Sequence, residues 1–282
     1  MTWTVIDHGP SKAVAVALAW EEFDQKARAQ EAPYETAANA QFASEADAVV
    51  RMIERNLPSF KAEDDPNFLA ALIWPYIDAA MLFVAATYGT SGAFYRQWYN
   101  RFRPLVAKTM ADAPSVRISL RGPTSPQVLA AIQRRVMKLA GSVTETTAQQ
   151  IRDVITQARI DGVGVSELAK RIRSDVFGGE ISANRATTIA RTETVGALNE
   201  GAMIRARQGG LFRSKQWVSQ RDGRVRDSHK AAESDGWIPI DTLYSNGLDH
   251  PHAVGAPAAE VINCRCSQLF SDLTADEANR SG

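Results

Sequence analysis

Residues 216–229 read QWVSQRDGRVRDSH: an apolar, β-prone run that meets a Gly-containing turn and then a cluster of Asp, Arg and His. The run predicts a strand, which FRSKQWVSQ extends upstream, and GRVRDSHKAAES downstream predicts a short helix. Charge this dense beside an apolar strand needs partners, because an ion held off from water stays there only when it is paired. From Asp235 to Ala259 the chain is rich in Gly, Pro and Asp and reads as an irregular loop. It then returns as AEVINCRCSQLF, a closing strand expected to pair antiparallel with Lys215 to Gln220 and to pack on the helix that precedes them.

That helix is SANRATTIARTETVGALNEGAMIRARQGG, predicted to be capped by Ser182 and ended by paired glycines. Before it, GVGVSELAKRIRSDV reads as a short helix capped by Ser166. SPQVLAAIQRRVMKLAG reads as a helix stopped at Gly141, and the SVTE capping box at 142–145 opens another that stops at Gly162. The first 113 residues are helical by period, with breaks expected at Pro33, Pro58, Pro66 and Gly89 to Gly92. Val116, Ile118 and Leu120 mark either an extended linker or one short strand. The expected fold is therefore mainly α with an α+β element: an N-terminal helical bundle over 1–113, a linker or strand over 114–123, an α-helical domain over 124–272 carrying a small antiparallel sheet near the C-terminus, and a tail over 273–282.

Composition narrows the function. The 282 residues are 45% hydrophobic, enough to bury a core, and 32 Lys+Arg balance 32 Asp+Glu, so no whole-molecule attraction draws the chain to nucleic acid or to an acidic membrane. Charge is regional instead. Residues 1–100 hold 7 basic against 13 acidic side chains, whereas 101–140 hold Arg101, Arg103, Lys108, Arg117, Arg121, Arg134, Arg135 and Lys138 against Asp112 alone. This island, or a second basic run from Arg205 to Lys230, would suit double-stranded DNA, since each neutralised phosphate releases a counterion; equally it would suit a solvated helix face or an acidic protein neighbour. No signal peptide is read in the apolar run Ala13 to Trp20. The run 68–89 has the length of a membrane span, but Pro75 and Asp78 lie near its centre, and a mid-bilayer Asp costs roughly 2.5–3.5 kcal/mol. A buried helix, or a pair broken at Pro75, is expected, and no membrane partner.

Cys264 and Cys266 are the only cysteines, so a disulfide framework is excluded and a reducing cytosol fits. With His229 and either His250 or His252 from the loop, they make four ligands suited to tetrahedral zinc. A strict strand would send the two thiols to opposite faces unless it bulges, so the alternative is a core Cys beside an exposed one and a neutral, hydrogen-bonded His229.

Three ordered motifs, IARTETVGALNEG at 189–201, KQWVSQRDGRVRDSHKAAESDG at 215–236 and GAPAAEVINCRCSQLF at 255–270, resemble the Mu protein F-like phage head morphogenesis (minor capsid) family over roughly 124–272. The resemblance implies a minor head component of a tailed double-stranded DNA bacteriophage. Such a protein is made in the host cytoplasm and built into the virion near the portal, with portal and other head proteins as partners and packaged DNA as a further contact. The family's motif positions fall on Arg191, Thr192, Glu193, Asp222, Arg224, His229, Gly236, Asn263, Cys264, Arg265 and Cys266. Arg191 and Glu193, two apart on a helix, face different ways and need separate partners. Glu193 is expected to take Arg224 or Arg265, and Asp222 to take Arg191, in a network of Arg191, Glu193, Asp222, Arg224 and Arg265 that ties helix, turn and closing strand together. The alternative is an enzyme, metal-dependent or phosphate-directed, delivered with the virion. Against it, the chain has no H-E-x-x-H, Walker A or G-x-S-x-G motif.

Overall fold

The structure, a computed structural model, describes residues 12–56, 81–113 except 91, and 126–280 except 162, 164 and 221. The expected break at Pro75, the linker or strand around 116–120, and Arg117 and Arg121 of the basic island lie outside these residues. The described chain is mostly helical with a small three-stranded antiparallel sheet near the C-terminus. Helices α1 (Lys12–Asn56), α2 (Ala93–Ala111), α3 (Pro126–Ile160), α4 (Val165–Arg171) and α5 (Gly179–Gly209) lead to strand β1 (Ser214–Val218). Then come α6 (Asp227–Ser234), β2 (Trp237–Pro239), α7 (Ala258–Val261), β3 (Ser267–Ser271) and α8 (Ala275–Arg280). Residues 81–88 are also helical, and one π-helical turn, Ile172–Val176, follows α4. No helix of the described residues is long and apolar enough to cross a membrane.

Two expected breaks are absent. α1 runs through Pro33 and α3 through Gly141. In α3 the buried positions Ile132, Val136, Leu139, Val143, Thr147, Ile151 and Ile155 form one unbroken stripe, and burial along that stripe outweighs the roughly 1 kcal/mol that a mid-helix glycine costs. The SVTE segment does not start a helix, because Thr144 and Thr147 donate to the carbonyls of Ala140 and Val143, one turn back inside α3. Ser182 likewise lies inside α5 and donates to the Phe177 carbonyl.

The chain divides into two compact units. One is drawn from Glu35–Phe102 and Val136–Thr187. Its core holds an aromatic chain: Phe42 meets Trp98 edge-on at 5.1 Å, Trp98 meets Phe102 at 5.1 Å, and Tyr88 meets Phe94 at 4.7 Å. Glu45 is buried among these rings, accepting from the Trp98 indole at 2.6 Å and from Gln41 at 3.0 Å. Burial pushes its carboxyl up to about 7, against the opposing pull of Gln41, Tyr88, Trp98 and Arg185.

The other unit is drawn from Met1–Tyr34, Arg103–Arg135 and Thr188–Gly282. β1 is central in the order β2-β1-β3, antiparallel to both neighbours. The strands at 214–218 and 267–271 meet as expected, with Lys215 opposite Phe270 and Val218 opposite Ser267. β2, inside the stretch read as a loop, adds a second edge, with Gln216 opposite Trp237. Three residues are too short to show an alternation, and only the β1 backbone donors and acceptors make them a strand. The tail contributes too: Asn279 of α8 accepts from the Trp237 amide and donates to its carbonyl, both at 2.9 Å. α5 is crowded around its middle. A Cβ on Gly196 would stand 2.2 Å from the Arg135 guanidinium, and one on Gly201 2.5 Å from the Met110 carbonyl oxygen. Arg205 caps α2, donating to the Met110, Ala111 and Ala113 carbonyls that a helix end leaves open.

The raised Glu45 carboxyl sets a pH dependence. A buried acid with a raised folded pKa contributes stability that is present below its ordinary value and is lost as pH rises through about 7. Glu45→Gln removes that loss. It is expected to exceed the wild type by roughly 2–3 kcal/mol at pH 8.5 and to match it within about 1 kcal/mol at pH 5, as measured by urea denaturation at each pH.

Candidate functional site: a buried cysteine and histidine cluster

His229, Cys264 and Cys266 come together in the second unit. His229 projects from α6, 1% exposed, with its ring 5.0 Å from the Trp217 indole of β1. The two cysteines lie in the link between α7 and β3, before the strand begins, so the alternation that would part their thiols does not apply. The Cys264 amide donates back to the Val261 carbonyl at 3.1 Å, and Asn263 adopts φ 56°, held by its amide bond to the Thr192 hydroxyl at 3.1 Å. That turn aims both sulfurs at one atom: His229 Nδ1 is 3.6 Å from Cys264 Sγ and 3.4 Å from Cys266 Sγ. On the far side of the ring, Nε2 lies 2.9 Å from Glu260 Oε2, which also accepts from the Ser228 hydroxyl at 2.9 Å.

The two thiols are shifted in opposite directions. Cys264 is held well below its ordinary range, chiefly by its bond from Cys266, and also by His252 and His229; Cys266 is pushed up by the same bond and by burial. The Cys266 amide donates to Cys264 Sγ at 3.4 Å. His252 does not join the three, contrary to the four-ligand set. Its Nε2 lies 2.9 Å from the Cys264 carbonyl oxygen, and its own carbonyl accepts from Arg135 at 2.8 Å. His250 is engaged elsewhere.

The expected ion network has different pairings. Asp222 binds Arg265 at 2.7 Å, not Arg191, and its other oxygen accepts the Arg224 amide at 2.9 Å. These bonds hold its carboxyl below the ordinary range, the Arg224 amide first. Arg191 faces Glu31 at 3.9 Å, and Glu193 takes Arg135 at 3.3 Å rather than Arg224 or Arg265. The Asp222–Arg265 pair therefore joins the turn after β1 to the link before β3. Besides the bond from the Asn263 amide to Thr192, the tie to α5 runs through residues outside the family's motif positions. Lys215, 0% exposed on the central strand, donates to the Asp249 carbonyl at 2.6 Å and to its carboxylate at 2.9 Å. Arg207 of α5 binds both Asp249 oxygens, at 2.8 and 2.9 Å, and His250 bridges Asp249 and Glu200 of α5 at 3.2 Å each. Asn199 of α5 donates to the Cys266 carbonyl at 3.0 Å. A lysine inside an otherwise strand-like run was the one sequence signal of this network, and nothing in period or spacing joined it to an Asp 34 residues on.

The basic island is partly spent inside the protein. Arg135, 5% exposed and paired with Glu193, cannot reach a phosphate backbone, while Arg101, Arg103, Lys108 and Arg134 are exposed and Lys138 is half-buried. Of the later run, Arg205, Arg207 and Lys215 are committed to internal partners.

A helix-rich protein whose polar chemistry gathers on a small Cys–His-centred sheet unit is the class that fold and site define. Within it, residues 149–269, less than half of the chain, match the family described as phage Mu protein F like protein, in agreement with the resemblance carried by the three motifs. That family is one of phage head morphogenesis, which supports a phage structural protein. No curated protein and no solved structure matches the chain.

The network carries a stability prediction. Burial opposes the charged form of His250, but its bonds to Asp249 and Glu200 outweigh that and raise its pKa; burial of Asp249 is likewise outweighed by His250, Arg207 and Lys215, which hold it below the carboxylate range. The Asp249 contribution is present above the ordinary Asp value and lost as pH falls through its folded value, while the His250 contribution is present below the ordinary His value and lost as pH rises past its raised one. Asp249→Asn leaves Lys215 without a charged partner and is expected to cost roughly 3–5 kcal/mol near pH 6. Lys215→Met, which leaves Asp249 with two cations, should cost less in urea denaturation at the same pH.

Proposed function

We propose that the protein is a minor structural component of a tailed double-stranded DNA phage head, built into the virion beside the portal and meeting packaged DNA through exposed cations. The observation that supports it most is the convergence of the three family motifs in one folded unit: Thr192 of the first bonds Asn263 of the third, and Asp222 of the second bonds Arg265 of the third. Residues far apart in the chain are thus spent on one another, which suits an assembly part that must stay folded under load. The DNA contact rests on the exposed Arg101, Arg103, Lys108 and Arg134, and the buried Arg135 takes no part. Portal and other head proteins are the partners, and the head interior or portal region is the location after assembly in the host cytoplasm.

Mass spectrometry of purified virions tests the assembly reading: the chain is expected at a small fraction of the major shell protein, and its absence from mature particles and from proheads would sink the proposal. A gel shift on duplex DNA at two salt concentrations tests the contact. Binding is expected to weaken steeply with salt, and replacing Arg101, Arg103 and Lys108 by Gln to flatten the log–log salt slope by up to about 3. No shift at low salt removes DNA and leaves assembly standing.

A further inference from the structure

We propose that His229 Nδ1, Cys264 Sγ and Cys266 Sγ bind one zinc-class divalent cation, with the fourth coordination position left to an exchangeable oxygen ligand from the adjoining cleft.

Geometry is the first argument. Zinc at about 2.3 Å from sulfur and 2.0–2.1 Å from nitrogen, with tetrahedral angles, sets the nitrogen and each sulfur about 3.6 Å apart. The separations here are 3.4 and 3.6 Å. All three donor atoms lie within 4.8 Å of one another and all three residues are buried.

Hydrogen bonding alone leaves the cluster unsatisfied. Nε2 faces the Glu260 carboxylate and so carries the ring proton, which leaves Nδ1 a single lone pair. Two sulfurs approach that one lone pair, and only one can donate to it. A cation resolves the conflict, since both thiolates and the imidazole then act as donors to it. Glu260, fixed in turn by Ser228, is the carboxylate that orients a metal-binding histidine. The Cys266 amide pointing at Cys264 Sγ favours the thiolate in the same way.

The fourth position is assigned to the adjoining cleft. His229, Cys264 and Cys266 are among the residues lining a cleft of about 520 Å³, whose walls also carry Arg191, Arg224, Arg226 and Arg265. His252 turns Nε2 to the Cys264 carbonyl and is not among the three residues whose donor atoms converge. An open position beside guanidinium groups takes water or an anionic oxygen, of the kind a phosphate group presents. The cation would also pin α6, the link and β3 to one centre, where the sheet has only three short strands.

The test uses the full chain without a histidine tag. About one zinc per chain is expected by elemental analysis, and two thiols per zinc titrated when a mercurial releases it from the wild-type protein, a readout that needs no variant. Cobalt substitution should give the intense visible bands of a tetrahedral thiolate site, and inorganic phosphate should shift them. Cys264→Ser and Cys266→Ser should lower zinc affinity at least a hundredfold, whereas His252→Ala should change it less than threefold. Metal-free protein whose thiols react at the rate of an unfolded peptide overturns the site. A hundredfold loss in His252→Ala, or a cobalt spectrum indifferent to phosphate, overturns the open fourth position. None of these outcomes bears on whether the chain is found in virions.

Discussion

The unit that carries the sheet depends on one half-buried carboxylate, that of Asp249. Asp249 lies in a loop with no regular structure, yet it receives Lys215 from the central strand, Arg207 from α5 and His250 from its own neighbour. Removing a lysine from water costs several kcal/mol, and an enclosed one survives only because it is paired and hydrogen-bonded. Asp249 supplies both, with its carboxylate and its backbone carbonyl together. The same residue therefore orders the loop, fastens the strand and joins both to the long helix.

From that anchor the rest of the unit hangs in sequence. β1 positions Trp217 against the His229 ring and against Tyr244, 5.2 Å away and edge-on, so the sheet's aromatic face forms the floor of the Cys–His cluster. α5 reaches the other side through Asn199 on the Cys266 carbonyl and Thr192 on the Asn263 amide. The ion pair of Asp222 with Arg265, partly exposed, lines the adjoining cleft and contributes modestly compared with the network around Lys215. Strength and chemistry are thus layered: buried charge holds the frame, and the frame holds two sulfurs on one nitrogen.

Much of this was legible before any coordinates. Two of the three strands and the order helix, strand, helix, strand follow from apolar runs between Gly-rich turns, and the family resemblance follows from three motifs in fixed order. The apolar, β-prone run around 216–218 sufficed because a central strand is buried on both faces and leaves a strong apolar signature. Helix ends were less legible. Gly141 and Pro33 are stop signals by local propensity, and each was overridden by burial on both sides of it, a cost of at most a few kcal/mol spread against many buried side chains. β2 was invisible for the opposite reason: its three residues have no pattern of their own, and their strand character is conferred by a neighbour.

What the sequence determines by itself is the inventory and its order: helices set by a 3.6-residue apolar period, two strands, and a His and two Cys whose chemistry suits a soft cation. Which charges meet was decided only by the tertiary structure. Glu193 found Arg135 across 58 residues, Arg191 turned to Glu31, and Lys215 found Asp249, because side-chain reach is a few ångströms in space and bears no relation to distance along the chain. The aim of the two thiols was likewise a tertiary outcome. A left-handed Asn263 turns the chain before β3 begins, and period-two reasoning, which holds only within a strand, cannot anticipate a turn.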